Sequence, residues 1–453
     1  MAIQNAYLQG VYEGLAKRNP EQKEFLQAVE EVLESLEPVV AAHPEYEKAG
    51  LIERLVEPER IIMFRVPWVD DAGKVQVNRG YRVQFNSAIG PYKGGLRFHP
   101  SVNLSILKFL GFEQCFKNSL TGLPMGGGKG GADFDPHGKS DAEVMRFCQS
   151  FMTALYRYIG PDIDVPAGDM GVGGREIGYL YGQYRRLKGV WENGVLTGKG
   201  LSYGGSLIRP EATGYGAMYY LQEVLKHEND TIEGKRIAIS GYGNVGWGIM
   251  KKASQLGAKV TYFAGPDGYI HDPDGVITDE KLNFILEMRA KDPMHCKPYA
   301  DKFGCEFVPG EKCWGVKDVD VYMPAAMQND VKMESAEKIA ASGVKYYIEV
   351  ANMPTTNDAL NFLRKQKGII VAPSKAVNAG GVGVSALEMA QNSERLVWTA
   401  EEVDHQLHKM MENIHKVSAE AAAEYGLGYD LVAGANIAGF KKVAEAMMEQ
   451  GCF

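Results

Sequence analysis

The chain has 453 residues, 45% of them hydrophobic and 23% charged, with 49 Lys and Arg against 57 Asp and Glu for a formal net charge of −8. This length asks for two or three hydrophobic cores, since one core stops growing near roughly 250 to 300 residues, and mild acidity without any basic run excludes the footprint of a nucleic-acid or anionic-membrane binder. No stretch approaches the roughly 18 consecutive apolar residues of a spanning helix, and the segment from Met1 to Arg18 has no uninterrupted apolar run, so a soluble cytoplasmic protein that handles small molecules is expected.

Cys115, Cys148, Cys296, Cys305, Cys313 and Cys452 include no C-x-x-C pair, which argues against a disulfide framework and a zinc site. The trio Cys296, Cys305 and Cys313 with His295 fits no common ligand spacing, and no metal is expected.

In chain order, Phe25, Val29, Val32, Leu33 and Leu36 recur at helical spacing and predict an amphipathic helix over 20–40. Segments 60–68 and 75–86 read as strands. The second alternates Tyr81, Val83 and Phe85 with Arg82 and Gln84, and the turn Asp70-Asp71-Ala72-Gly73 joins the two as a hairpin. Next, Gly90-Pro91-Tyr92-Lys93-Gly94-Gly95-Leu96-Arg97 sets a lysine beside glycines. A helix over 103–118 then puts Gln114 and Lys117 on one face.

Leu123-Pro124-Met125-Gly126-Gly127-Gly128-Lys129-Gly130-Gly131 surrounds a lysine with glycines, so the backbone can bend closely round an ammonium that few side chains shield. The pattern fails as a P-loop, because Leu123 stands where its first glycine belongs and Gly130 where Ser or Thr belongs. A flexible surface loop and a catalytic amine both remain open from these residues alone. Lys93, Lys117 and Lys129 are expected at loop or helix-end positions, and together they suggest a pocket for a dianion. If they converge, mutual repulsion and desolvation would lower the pKa of the most buried one, and Lys129 is the one expected to act as a base or to activate water.

In 161–173, two prolines and three glycines hold a non-helical path bearing Asp162, Asp164 and Asp169. Asp162 and Asp164 suit hydrogen bonding within their own turn. Asp169, between Gly168 and Met170, is the better catalytic candidate because glycine permits close approach of a substrate. A paired-carboxylate glycosidase would leave the three lysines unexplained.

The glycine-bearing segment 197–209 reads as a hinge, followed by a helix over 211–227 and a buried strand over 234–240. Gly241-Tyr242-Gly243-Asn244-Val245-Gly246 comes directly after it, with a helix over 245–256 and a strand over 259–264 beyond. This is the dinucleotide fingerprint in its proper setting. Gly241 makes the turn, Gly243 admits the pyrophosphate to the backbone, Gly246 packs helix on strand, and the helix N-terminus meets phosphate charge. The acidic residue expected for the ribose hydroxyl is displaced into the turn Gly265-Pro266-Asp267-Gly268. Asp267 would repel a 2′-phosphate and no lysine or arginine lies in that turn, so NAD is expected, with NADP as the alternative. Segments 318–324, 346–350 and 369–372 read as further strands, whose tips, including Asn352 and Asn378, should line a cofactor cleft. Val403, Leu407, Met410, Ile414, Val417 and Ala421 mark a long helix, read as core or as a pivot packing back.

Five motifs, Gly90 to Phe98, Leu123 to Gly131, Asp164 to Asp169, Gly241 to Val245, and Asn378-Ala379-Gly380-Gly381-Val382, together resemble the glutamate dehydrogenase family, specifically its small-subunit hexameric members and their NAD-preferring branch. The likeness runs over nearly the whole chain. It implies an α/β fold of two domains separated by a cleft. A substrate and oligomerisation domain would span 1–204, with 429–453 returning to it, and a Rossmann-type NAD domain would span 205–428. It also implies a homohexamer that reversibly deaminates L-glutamate to 2-oxoglutarate and ammonium with hydride transfer to NAD. By the same resemblance Lys129 activates water and Asp169 exchanges protons with the amine. Lys117 and Gln114 hold the α-carboxylate with Gly168 lining the site, and Lys93 and Ser385 hold the γ-carboxylate. Thr213, Asn244 and Asn378 lie near the nicotinamide and ribose. Related leucine, valine and phenylalanine dehydrogenases lack a charged partner for the substrate side chain, so Lys93 with Ser385 selects glutamate. A dinucleotide-binding regulator without chemistry would give no reason for Asp169 and three lysines.

Overall fold

A computed structural model describes residues 3–452. The chain divides into two compact units. The first runs to Leu207 and takes in Val382–Val403 and the chain from Asn436, and the second holds Ile208–Gly381 and Asp404–Ala435. Segment 382–403, read from sequence as part of the second domain, therefore groups with the first unit, and so the boundary falls inside helices that sequence alone gives no reason to divide.

The first unit is built on a mixed five-stranded sheet in the order β1-β2-β4-β3-β5, with β1 Arg60–Val69, β2 Val75–Asn86, β3 Tyr92–Phe98, β4 Gly127–Ala132 and β5 Asp164–Gly168. The β1/β2 hairpin forms as expected. Asp70 Oδ1 accepts from the backbone N–H of Ala72 at 3.0 Å and of Lys74 at 2.8 Å, which closes the turn and sets Val69 against Val75. Helix Leu104–Leu120 is buried along nearly its whole length and packs on β2 and β4. Beside the sheet, helix Asp141–Leu155 begins with a capping box, the Glu143 N–H donating to Ser140 Oγ at 3.1 Å and the Ser140 N–H to Glu143 Oε2 at 3.0 Å. Its Phe147 stacks on Phe134 at 3.8 Å between ring centroids, in a core that includes Phe98, Phe151 and Leu155.

The glycine run 126–131 is not a loop. Most of it is β4, antiparallel to β2 and parallel to β3 and buried throughout. Glycine is needed there because the Arg82 side chain of β2 lies close against it. A Cβ at Gly130 would lie 3.0 Å from Arg82 Cδ and 2.7 Å from Leu96 Cδ2. Arg82 donates through Nε to Asp164 Oδ2 at 2.8 Å, through Nη2 to Asp164 Oδ1, and through Nη1 to the Gly94 carbonyl at 2.9 Å. Gln84 adds a bond to Asp164 Oδ2 at 3.0 Å. Asp164, expected to serve its own turn, is instead one half of a fully buried ion pair that joins β2, β3 and β5.

The second unit carries a seven-stranded sheet in the order β12-β11-β10-β6-β7-β8-β9, with β6 Arg236–Ser240, β7 Lys259–Gly265, β8 Gly268–His271, β9 Glu306–Pro309, β10 Val321–Pro324, β11 Tyr346–Ile348 and β12 Ile370–Ala372. The first five in that order are parallel, and β8 and β9 add an antiparallel edge. Strand order reverses between β6 and β10, where an open α/β sheet leaves a crevice at its carboxyl ends. The tip 374–381 is helical, entering Ser374–Val377 and then Ala379–Glu394. The chain thus has the two-unit α/β architecture expected from its sequence. Among the described residues no helix is long and apolar enough to cross a membrane.

Because Arg82 and Asp164 are both out of water, Asp164→Asn leaves an uncompensated buried guanidinium and should cost about 3–5 kcal/mol. Urea unfolding reads this as a lowered midpoint, and an unshifted midpoint would show that the pair does not hold the sheet together.

Candidate active site

Lys129 sits in the middle of β4, paired in register with Val83 of β2 and only 3% exposed. Its Nζ lies 3.2 Å from Asp169 Oδ1, and Arg97 Nε donates to Asp169 Oδ2 at 2.7 Å. Asp169 follows β5 in a tight turn closed by the Val172 N–H on the Asp169 carbonyl at 2.9 Å, and the turn is docked by the Phe98 N–H on the Met170 carbonyl at 2.9 Å. Gly171 makes that docking possible. Its φ is +73°, and a Cβ there would lie 2.0 Å from the Phe98 carbonyl oxygen. Gly95 keeps the floor open, since a Cβ there would stand 2.8 Å from Asp169 Cβ, 2.8 Å from the Gly168 carbonyl oxygen and 3.3 Å from Lys129 Nζ.

The electrostatics of this group follow from burial and close charges. Burial pushes the Lys129 ammonium below the usual lysine range. Asp169 pulls it back up, and Arg97 and Arg82 push it further down. The depression has the direction anticipated and desolvation as its main cause, as expected, while the repelling cations are two arginines rather than the other lysines. For Asp169, burial raises the carboxyl, yet the Lys129 ammonium and the Arg97 guanidinium outweigh burial and hold it well below the ordinary carboxylate range.

Lys93, expected in a loop, is a fully buried residue of β3. It donates to the Val165 carbonyl at 3.0 Å and to Thr197 Oγ1 at 2.9 Å. Thr197 and Arg97 escaped sequence reasoning as site residues, the first because it lies in a glycine-rich segment read as a hinge. Gln114 donates to Asn118 Oδ1 at 2.6 Å, and Asn118 in turn donates to the Lys93 carbonyl at 3.1 Å and to the Gly126 carbonyl. This places the Gln114 face of its helix against β3, with Gln114 Cγ 3.4 Å from where a Gly94 Cβ would stand. Lys117 is buried near the end of the same helix, and Ser385 is buried in helix Ala379–Glu394. Lys129, Asp169 and Gly168 thus meet at Gly95 and Arg97 joins them through Asp169, while Gln114 lies against the neighbouring Gly94, and Lys93 of β3 is bonded to Thr197, which follows β5 and reaches it through the Pro166 carbonyl.

In the second unit each fingerprint glycine has a separate reason. Gly241 has φ +81° and a Cβ there would lie 3.0 Å from Ala326 Cα, while one at Gly246 would lie 2.1 Å from the Gly241 carbonyl oxygen. Gly243 faces open space, with nothing within 4 Å of a Cβ. Asn244 opens helix Asn244–Gln255, with Val245 half-buried after it, and its Oδ1 accepts from Arg289 Nη2 at 2.7 Å. The turn at 265–268 holds no basic residue, as read from the sequence, and Arg289 is held instead at the start of helix Asn244–Gln255. Asp267 accepts from the Cys296 N–H at 3.0 Å with both oxygens and from the Lys297 N–H at 3.3 Å, so it also caps the helix that begins there. Asn378 donates to the Val350 carbonyl at 2.8 Å and to Asn352 Oδ1 at 3.0 Å, and its own Oδ1 is buried without a partner. The Thr213 hydroxyl lies 2.4 Å from where a Gly381 Cβ would stand. Elsewhere in this unit Glu223, His408 and Glu412 cluster at metal-ligand spacing, but the Lys226 ammonium pairs with Glu223 and lies 3.9 Å from Glu412.

The model of the Glutamate/Leucine/Phenylalanine/Valine dehydrogenase family matches residues 204–451, and that of the Glu/Leu/Phe/Val dehydrogenase dimerisation domain matches 58–186. The NAD-specific glutamate dehydrogenase of Clostridium symbiosum is 68% identical over 98% of this chain and 99% of its own length. The chain belongs to the glutamate dehydrogenase family. An NADP-specific glutamate dehydrogenase of Giardia intestinalis is 54% identical, over 97% of each chain. A solved glutamate dehydrogenase structure superimposes with a TM-score of 0.98 at 67% identity, covering 99% of this chain and 100% of that one. Family membership therefore stands on the whole length, while relatives of both cofactor types share it.

Gly243→Ala should leave the thermal midpoint within about 1–2 °C of the parent while weakening NADH binding at least about 10-fold, because the added methyl meets no protein atom and fills the space a pyrophosphate would take. Gly246→Ala should lower the midpoint by several degrees instead. Thermal melts and NADH fluorescence titrations separate the two, and equal melting losses would contradict this division of labour.

Proposed function

We propose that this chain reversibly deaminates L-glutamate to 2-oxoglutarate and ammonium, transferring hydride to NAD, with NADP a weaker alternative. The observation that carries the reading is the Lys129–Asp169–Arg97 contact, in which a desolvated amine and a buried guanidinium share one carboxylate. NAD when bound supplies the hydride acceptor. The second unit suits it, with Gly243 open to a pyrophosphate at a helix N-terminus and an unpartnered amide oxygen on Asn378. Gly241, Gly243, Asn244 and Val245 would hold its phosphates, and Thr213, Asp267, Asn352 and Asn378 its ribose and nicotinamide.

Glutamate arrives with a protonated amine, which must lose a proton before its α-hydrogen can leave as hydride. Asp169, kept ionised by its two cationic neighbours, receives that proton. Hydride loss gives an iminium carbon, and Lys129, easily neutral because it is desolvated, takes a proton from the water that attacks it. The carbinolamine then collapses as Asp169 returns a proton to the departing nitrogen. Lys117 and Gln114 hold the α-carboxylate with Gly168 lining the site. Lys93, Thr197 and Ser385 hold the γ-carboxylate, which an apolar amino acid lacks. The cationic side chains outnumber Asp169, as a dianionic 2-oxoglutarate requires.

The chain assembles as a homohexamer in the cytoplasm in this reading. The match of 58–186 to a dimerisation domain supports assembly, as do the exposed apolar side chains of Met63, Val75 and Val77 on the β1/β2 hairpin.

NADH consumption with 2-oxoglutarate and ammonium should proceed faster than NADPH consumption, and Lys129→Ala should lower kcat by about 10²–10⁴. Absence of turnover with either cofactor would overturn the reading. Arg97 depresses both Lys129 and Asp169, and both are needed in their deprotonated forms for glutamate oxidation, so Arg97→Gln should move the acidic limb of the pH dependence of kcat/KM for glutamate to higher pH. A profile that only drops in height would remove Arg97 from this role.

A further inference from the structure

Helix Ala379–Glu394 carries Ser385 and, one turn on and on the same face, Glu388. Glu388 has a fully buried side chain and pairs with the fully buried Lys199, Nζ to Oε1 at 2.7 Å. The same carboxylate accepts the Gly198 N–H at 2.9 Å on Oε2 and the Lys199 N–H at 3.3 Å on Oε1. Lys199 Nζ also donates to Asn392 Oδ1 at 2.8 Å and to the Leu196 carbonyl, and Asn392 donates to the Gly204 carbonyl at 2.7 Å. Segment 196–204 is thereby tied to one helix face by a closed network. Directly before Gly198 stands Thr197. Its N–H donates to the Pro166 carbonyl at 3.1 Å, and its hydroxyl accepts from Lys93 at 2.9 Å.

We propose that the buried Lys199–Glu388 pair positions the subsite for the substrate's side-chain carboxylate, by fixing the backbone that carries Thr197 and the helix that carries Ser385 at one spacing about the Lys93 ammonium. This rests on the proposed role of Lys93 in holding that carboxylate. A hydrophobic pair of similar volume fills such a site at comparable stability, but it supplies no acceptor for the Gly198 and Lys199 amides. The ion pair adds direction to the packing. Glu388 meets three donors and itself has none, so the amide of a glutamine there would turn a donor against one of them. Neither Lys199 nor Glu388 is a catalytic residue in this account, because each acts through Thr197 or Ser385.

The test compares L-glutamate with L-norvaline, which has the same carbon chain without the terminal carboxylate. In Glu388→Gln, KM for glutamate should rise at least about 10-fold with a smaller change in kcat, while kcat/KM for norvaline stays within about 3-fold and KM for NAD is unchanged. The double variant Lys199→Met with Glu388→Gln avoids an unpaired buried charge and should show the same loss of glutamate preference over norvaline. If Glu388→Gln fails to fold, Asn392→Ala, which keeps the pair and removes one lysine contact, should shift the same ratio less. Parallel losses on both amino acids, or an unchanged ratio in the folded variants, would overturn the proposal. A parent protein without glutamate turnover would instead overturn the reading of the site itself.

Discussion

An ammonium held out of water beside a single carboxylate is the constraint that the first unit is built around. Lys129 has no solvent to stabilise its charge, and Asp169 offsets only part of that loss while Arg97 and Arg82 add to it. Such a group stays in place only if its backbone cannot yield. That explains why β4 lies between two strands rather than on an edge, and why Asp169 occupies a turn bonded at both ends. The Arg82–Asp164 pair has the same logic one layer further in. It makes no proposed contact with substrate, yet it holds β2, β3 and β5 at the spacing that the Lys129 environment requires.

Glycine serves two different ends in this chain. In the dinucleotide fingerprint it frees individual backbone positions, one for a turn, one for helix packing and one for open space. In β3 and β4 it removes side chains from a region where strands, a guanidinium and a helix meet too closely for any Cβ. At Gly94 the added atom would lie 1.7 Å from the Gly128 carbonyl oxygen, and at Gly127 it would lie 2.3 Å from Cys115 Sγ. Compactness, not mobility, is what the second group provides.

That difference accounts for what was legible in the sequence. The hairpin, the buried helix 104–120 and the strand-loop-helix-strand unit at 236–265 all carry local signals, in periodicity, turn residues or a spaced motif, and they were readable directly. A glycine-rich strand has no side-chain alternation, so 127–132 looked like a loop. The supporting residues were hidden for another reason. Asp164 lies 82 residues from Arg82, Thr197 104 from Lys93, Asp169 72 from Arg97 and Glu388 190 from Gly198. Pairings of that length leave no mark on spacing. Lys93, Lys129 and Asp169 were singled out because they stand inside glycine-rich or proline-fixed motifs and Lys117 because it shares a helix face with Gln114, and none of those signals names a distant partner.

The bare floor of the site also limits how the chain can change. Gly94, Gly95, Gly128 and Gly130 admit no larger residue without moving backbone or neighbouring side chains, so mutation has no graded steps to offer there. New substrate preferences in descendants of this sequence are thereby channelled to positions such as 93, 197 and 385, where side chains already exist and can be exchanged one at a time. A surface fixed by the lack of side chains is conservative in evolution for a steric reason, independent of the chemistry performed on it.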